Sequence, residues 1–183
     1  MSRQIGGAAR SGTRRGETAD DRAAAAPAEN DVAAAFRAAL ARWASGVTVV
    51  AVRDEGRVFG ITATAFTSVS VEPPLVLVCL GANAVVLPML DHGAPLVINL
   101  LAAAQKRTAT IFTDVGPLGQ ELFPAEGPPL LPDALASLVC SVHAMHPAGD
   151  HTIVVARVQD VVMGSAAPPL LRYERAWRTL DGE

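Results

Sequence analysis

Aromatic residues make up only 4% of this 183-residue chain, although half of it is hydrophobic. Any core must therefore be built from Val, Leu, Ile and Ala. Cysteine is scarce as well. Cys79 and Cys140 stand in apolar runs with no Cys-x-x-Cys partner; one disulfide is formally open to them, but two buried, reduced thiols of a cytoplasmic protein is the favoured reading. The formal charge of −3 offers no broad attraction for nucleic acid or an anionic membrane. No uncharged apolar stretch approaches the ~20 residues that span a bilayer, and the N-terminus shows no apolar core of a secretory signal. No Gly-x-Gly-x-x-Gly follows a strand and no Gly-x4-Gly-Lys-Ser/Thr occurs, so a Rossmann site and a P-loop lack support. His92, His143 and His146 have no metal-like pairing and read as surface or strand-end residues; no metal site is expected.

What is present reads as one domain behind a tail. Residues 1–29 mix Gly, Ala, Ser, Arg and Asp with almost no large apolar residue and are expected to be disordered, since such a segment buries too little surface to offset its ordering entropy. Order is expected over 30–183. Asn30 can cap a helix carrying Val32, Phe36, Leu40 and Trp43 at helical spacing, with Gly46 as its stop. The runs 47–53 and 57–66 flank Asp54-Glu55-Gly56 as a hairpin. Hydroxyl-rich 67–74 reads as a loop, and 74–80 as a buried strand. A short helix, irregular at Pro88, is expected within 81–93. A strand follows at 94–101, a helix at 101–112, a long Gly/Pro loop at 113–132, and strands at 137–146 and 152–163. The segment 169–180 packs back or crosses to a second subunit. Six or seven strands with a few helices and no strict βα alternation predict a mainly β, α+β barrel.

The stretch with most chemical content is Gly60-Ile61-Thr62-Ala63-Thr64-Ala65-Phe66-Thr67-Ser68-Val69-Ser70-Val71-Glu72-Pro73-Pro74. Small residues at a strand end, followed by hydroxyls, let a planar ligand approach the backbone, whose N–H and C=O groups can meet its polar edge. On composition alone such a segment is usually just a turn.

This stretch resembles the "GxTAxSFxSVSxxPPLxxxC" block of the short flavin reductases that serve two-component monooxygenases. The resemblance continues in order through GVTVV (46–50), PLVINLLAAAQKRTATIF (95–112), GDHTIVVARVQDV (149–161) and PLLRYERAWRTL (169–180), covering about residues 33–180. It implies a flavin-binding split β-barrel, a six-stranded Greek key working as a homodimer. The implied activity is NADH-dependent reduction of free FAD, with FMN as the alternative, to supply a flavin-dependent monooxygenase. Thr62, Ala63, Thr64, Ser68, Val69 and Ser70 would line the flavin, Ala82 and Asn83 would contact its ribityl-phosphate, and Phe112 would border the ring system. A lone His after Gly-Asp is by default a solvated turn residue, but the resemblance makes His151 the group that orients nicotinamide, with Tyr173 and Arg175 near it. Lys106 and Arg107 read as a solvated helix face, and Trp177 as packing. Two departures stand on the flavin side: Thr64 and Ala65 replace the usual Asn and Ser, and GANAVVLPML (81–90) lacks the usual phosphate ligands. They keep open a second reading, a barrel that binds flavin or another planar ligand without turning it over.

Overall fold

The β-branched run Val47–Val52 is apolar without alternation because the strand it forms is buried on both faces. The computed structural model describes residues 29–113 and 119–180, so the tail expected at 1–29 lies outside the described residues except for Glu29. Helix α1 (Glu29–Ala41) leads into β1 (Ser45–Gly46), β2 (Thr48–Asp54), β3 (Arg57–Ala63), β4 (Phe66–Val71), β5 (Pro74–Gly81) and β6 (Pro95–Leu100). Helix α2 (Lys106–Ile111) precedes β7 (Ala136–Ala148), β8 (His151–Met163), β9 (Leu170–Tyr173) and β10 (Ala176–Thr179). A single 3-10 turn at Leu87–Met89 is all that forms in 81–93, and another, Ala103–Gln105, opens α2.

Seven strands form one antiparallel sheet in the order β3-β2-β6-β7-β8-β5-β4, and β1-β9-β10 form a second. β3 and β4 are the two ends of the large sheet, yet only Thr64 and Ala65 separate them. Three residue steps reach at most about 11 Å. The sheet must therefore roll up until its ends nearly meet, and because β3 and β4 do not pair, the resulting barrel is split along that seam. The connection is tied to β5, since Cys79 N–H donates to Ala65 O at 2.9 Å.

The barrel interior holds Val50, Val52, Val76, Val78, Leu80, Leu96, Ile98, Cys140, Val142, Val154 and Ala156. A second core covers the outer face of β2: Val47, Val49 and Ala51 pack beneath Ala109, Phe112, Phe123, Leu131 and Leu170. Gly60 is required here, since a Cβ at that position would lie 2.8 Å from the Phe112 ring. Asn99, fully buried on β6, stitches the 128–132 segment to the sheet. Its amide donates to Val49 O and Pro129 O, and its oxygen accepts from Leu131 N–H and Ser137 Oγ.

Two expectations of local structure need correction. The segment 67–74 is not a loop: most of it is β4, an edge strand paired with β5. Gly46 does not stop α1, which ends at Ala41 and is followed by β1. The helical stripe Val32, Phe36, Leu40 and Trp43 exists but points outward, at 51, 59, 53 and 73% exposure. β4 adds a seventh strand to the six that the resemblance implies.

Candidate functional site: a cleft at the barrel seam

The split in the barrel opens into a cleft of about 440 Å³, within the range of small-molecule sites. Thr64, Ala65, Phe66 and Thr67 form its seam wall, Leu77 and Cys79 of β5 its floor, and Leu40, Ala41 and Trp43 one side. The β9–β10 turn supplies Arg172, Tyr173, Glu174 and Arg175 on the other. Glu174 and Arg175 hold φ of 48° and 60°, left-handed conformations that Asn-Gly usually takes in a two-residue hairpin turn. Holding two non-glycine residues there costs of order 1–3 kcal/mol each. The Glu174 N–H donates to Ala41 O at 2.7 Å, which ties the turn to the end of α1. Arg172 stacks on Trp177, 4.5 Å from the ring centroid, and Trp177 packs on the second core.

β5 and β8 connect this cleft to His151. Alternate residues of a strand share a face, and β5 alternates between buried Val76, Val78 and Leu80 and half-buried Leu75, Leu77, Cys79 and Gly81. Gly81 lies directly opposite His151, and Cys79 opposite Ile153. His151 therefore stands on the cleft face of the sheet, two residues along from Cys79, or about 7 Å at strand spacing. The Asp150 carbonyl accepts from Ala82 N–H at 2.9 Å, and Asp150 Oδ1 lies 2.7 Å from His151 Nδ1. That hydrogen bond, and then the imidazole's charge, hold the Asp150 carboxyl below the ordinary carboxylate range.

The expected site residues divide sharply. Thr64, Tyr173 and Arg175 line the cleft, and His151 shares its face. Thr62 does not present its polar groups there: its hydroxyl donates to Ala109 O at 2.7 Å and its N–H to Phe112 O at 2.9 Å, fastening β3 to α2. The Ala63 side chain lies in the barrel core. Phe112, 1% exposed, is sealed in the second core against Phe123 and borders no surface. Ser68 and Ser70 are separated by a β-bulge, with Ser68 opposite Val76 and Ser70 opposite Leu75. The two serines thus fall on different sides of β4, with Ser70 on the Leu77–Cys79 side, and Val69 is unpaired between them. Because β4 is an edge strand, its outer N–H and C=O groups remain free for a ligand. Ala82 and Asn83 are exposed beside the Asp150–His151 turn; the Ala82 N–H is already engaged. Lys106 and Arg107 are exposed on α2, and His92, His143 and His146 are exposed away from the core. No metal-binding group of three or more ligands occurs among the described residues.

Sequence reasoning overlooked Cys79, Leu77 and Trp43 as cleft residues. Cys79 is half-buried and borders the cleft, whereas Cys140 is sealed in the core, where burial pushes its thiol up to about 12; neither is in a disulfide. No helix among the described residues is long and apolar enough to cross a membrane.

The comparisons agree with this geometry. The flavin reductase like domain model matches residues 40–181. The reductase component of 4-hydroxyphenylacetate 3-monooxygenase from Thermus thermophilus is 43% identical over 146 residues, 80% of this chain and 95% of that protein. An NADH-dependent flavin reductase from Rhodococcus sp is 40% identical, covering 80% of this chain and 85% of the relative. The structure of the NADH:FAD oxidoreductase of Streptomyces globisporus C-1027 with NAD and FAD fragments superposes with a TM-score of 0.74 at 31% identity, over 86% of this chain and 98% of that one. With a split barrel, a cleft at its seam and these relatives, the chain belongs to the flavin reductase like domain family.

Proposed function

We propose that this protein is an NADH-dependent flavin reductase that reduces free FAD, or FMN, and releases the product to a separate monooxygenase. The observation that carries the reading is the seam cleft sharing one sheet face with His151: a planar ring seated in the cleft lies beside the group expected to hold nicotinamide. The residues suit a loosely held flavin. The floor is apolar, the free edge of β4 offers backbone donors and acceptors, and Arg172 and Arg175 bring positive charge to the rim. Hydride passes from nicotinamide to the flavin ring when the two stack within about 3–3.5 Å, so the protein's task is orientation and exclusion of water. His151 would orient the nicotinamide, and Thr64, Tyr173 and Arg175 would bound the rings. Service to a monooxygenase is inferred from the Thermus relative, which is named as such a component. NADH is preferred to NADPH in this reading, since no basic cluster stands out for a 2′-phosphate.

Purified full-length protein should consume NADH when FAD or FMN is added, and do so faster than with NADPH. Folded protein that binds flavin but consumes no NADH would instead support the carrier reading, to which the loss of the usual Asn and Ser at Thr64 and Ala65 points.

We further propose a homodimer. The outward stripe of α1 is unusually apolar for a free surface, and its Leu40, with Trp43 just beyond the helix, also borders the cleft, which would link assembly to flavin binding. Sedimentation should show a dimer at micromolar concentration; a monomer reducing flavin at the full rate would contradict this.

A further inference from the structure

The turn between β7 and β8 places a carboxylate in contact with the ring nitrogen of His151 that points away from Gly81. Asp150 is anchored through its own carbonyl to Ala82, on the chain just beyond β5, while its side chain is 95% exposed. Nothing in the packing of the turn needs that side chain. Among the described residues its side-chain partner is His151, with Oδ1 2.7 Å from Nδ1. An ionised carboxylate only accepts hydrogen bonds, so in the neutral ring Nδ1 carries the hydrogen and Nε2 is left as a bare acceptor. Nε2 is the atom nearest Gly81: a Cβ there would lie 4.0 Å from it. Glycine leaves that nitrogen uncovered on the sheet face that leads to the cleft. Gly81 and Ala148 pair with His151 from the flanking strands and neither titrates. Among the described residues, Asp150 is the one carboxylate within ion-pair distance of the ring.

An unrestrained neutral histidine favours the opposite tautomer, with the hydrogen on Nε2. That form would turn a donor toward the nicotinamide carboxamide, suiting its carbonyl oxygen and not its N–H. We propose that Asp150 is a positioning residue that fixes His151 with Nε2 as the acceptor for the carboxamide N–H of NADH. This rests on the reading of His151 as the nicotinamide contact.

The test compares full-length wild type with Asp150→Ala, Asp150→Asn and His151→Ala. Outer partners of metal-bound imidazoles typically matter by about 10–100-fold, and the orienting role assigned to Asp150 is of the same kind. Asp150→Ala should therefore lower kcat/KM for NADH about tenfold, with flavin Kd unchanged. Asp150→Asn presents an amide that can donate to Nδ1 as well as accept from it, so it should release the fixed tautomer and lower kcat/KM for NADH as well. Nitrogen-15 NMR of the His151 ring at about pH 8.5, above the ordinary imidazole range, should show the hydrogen on Nδ1 in wild type and on Nε2 in Asp150→Ala. A wild-type ring already protonated on Nε2 would overturn the proposal. So would Asp150→Ala with unaltered NADH kinetics beside an impaired His151→Ala, an outcome that leaves the His151 reading standing. A loss of NADH use in either Asp150 variant whose ring still carries its hydrogen on Nδ1 would also overturn it, by showing that charge rather than tautomer matters. If His151→Ala itself leaves NADH use untouched, the underlying reading fails, and this proposal with it.

Discussion

Asn99→Ala is expected to lower the unfolding free energy by about 3–5 kcal/mol, a large part of the roughly 5–15 kcal/mol typical of a domain. Asn99 is fully buried and all of its hydrogen-bonding atoms are engaged: two carbonyls accept from its amide, and a backbone N–H and a serine hydroxyl donate to its oxygen. Truncation removes these bonds and strands the Leu131 N–H and the Pro129 carbonyl in an apolar interior. Each buried group left unmatched costs roughly 1–3 kcal/mol, and the vacated volume adds to that. The damage should spread, because Asn99 is what fastens the 128–132 segment over β6. Ser137→Ala is the calibrating variant. It deletes one of the four bonds, and Asn99 keeps the other three, so its cost should be about 1 kcal/mol. Urea denaturation of both variants checks the argument. A loss below about 1 kcal/mol for Asn99→Ala would mean that water or rearranged backbone replaces the network.

Much of this was legible in the chain, for physical reasons that differ from segment to segment. β2 was readable because it is buried on both faces over Thr48–Val52, which leaves the run Val49–Val52 continuously apolar. The turn expected at Pro147–Asp150 was readable in place but not in length: Pro147 and Ala148 extend β7, and Gly149-Asp150 alone makes the connection. β4 was misread, since Thr, Ser and a following proline pair describe a loop as well as an edge strand. What decides between them is the partner β5, which no local pattern reveals. The α1 stripe shows the same limit in another form. Helical spacing identifies which face is apolar but not what covers it, and among the described residues the stripe stays largely exposed. β5 hid the cleft floor: Leu75, Leu77 and Cys79 are as apolar as the core residues between them, so a continuous run concealed a strand with one face on a site. Phe112 was correctly picked out as a special aromatic and wrongly placed. Gly60 and the second core swallow it, and burial is a property of tertiary packing. Asn99 carried a usable signal, a single amide in the run Pro95–Leu101, since a polar group in a buried strand must find partners.

His151→Ala is expected to reduce kcat/KM for NADH by roughly ten- to a hundredfold, with flavin binding retained. One lost positioning contact of this kind is worth ~1–3 kcal/mol of transition-state stabilisation, and hydride transfer is unforgiving of misplacement because ring stacking sets the rate. The separation of effects follows from geometry. His151 stands on the β8 side of β5, opposite Gly81, whereas the seam wall and the β4 edge proposed to hold flavin lie on the other side of β5. Removing the imidazole should leave that edge untouched. Ser70→Ala is the counterpart: Ser70 lies on the Leu77–Cys79 side of β4, so its loss should raise flavin Kd while sparing NADH. Ser68→Ala should do less, because the bulge turns Ser68 to the other side. The Ser70 effect is bounded, since its hydroxyl already donates to Pro73 O and can only accept from a ligand. Stopped-flow reduction of bound flavin at subsaturating NADH isolates the hydride step from flavin release. A His151→Ala rate equal to wild type would show that His151 is a solvated turn residue whose closeness to the cleft has no part in the chemistry.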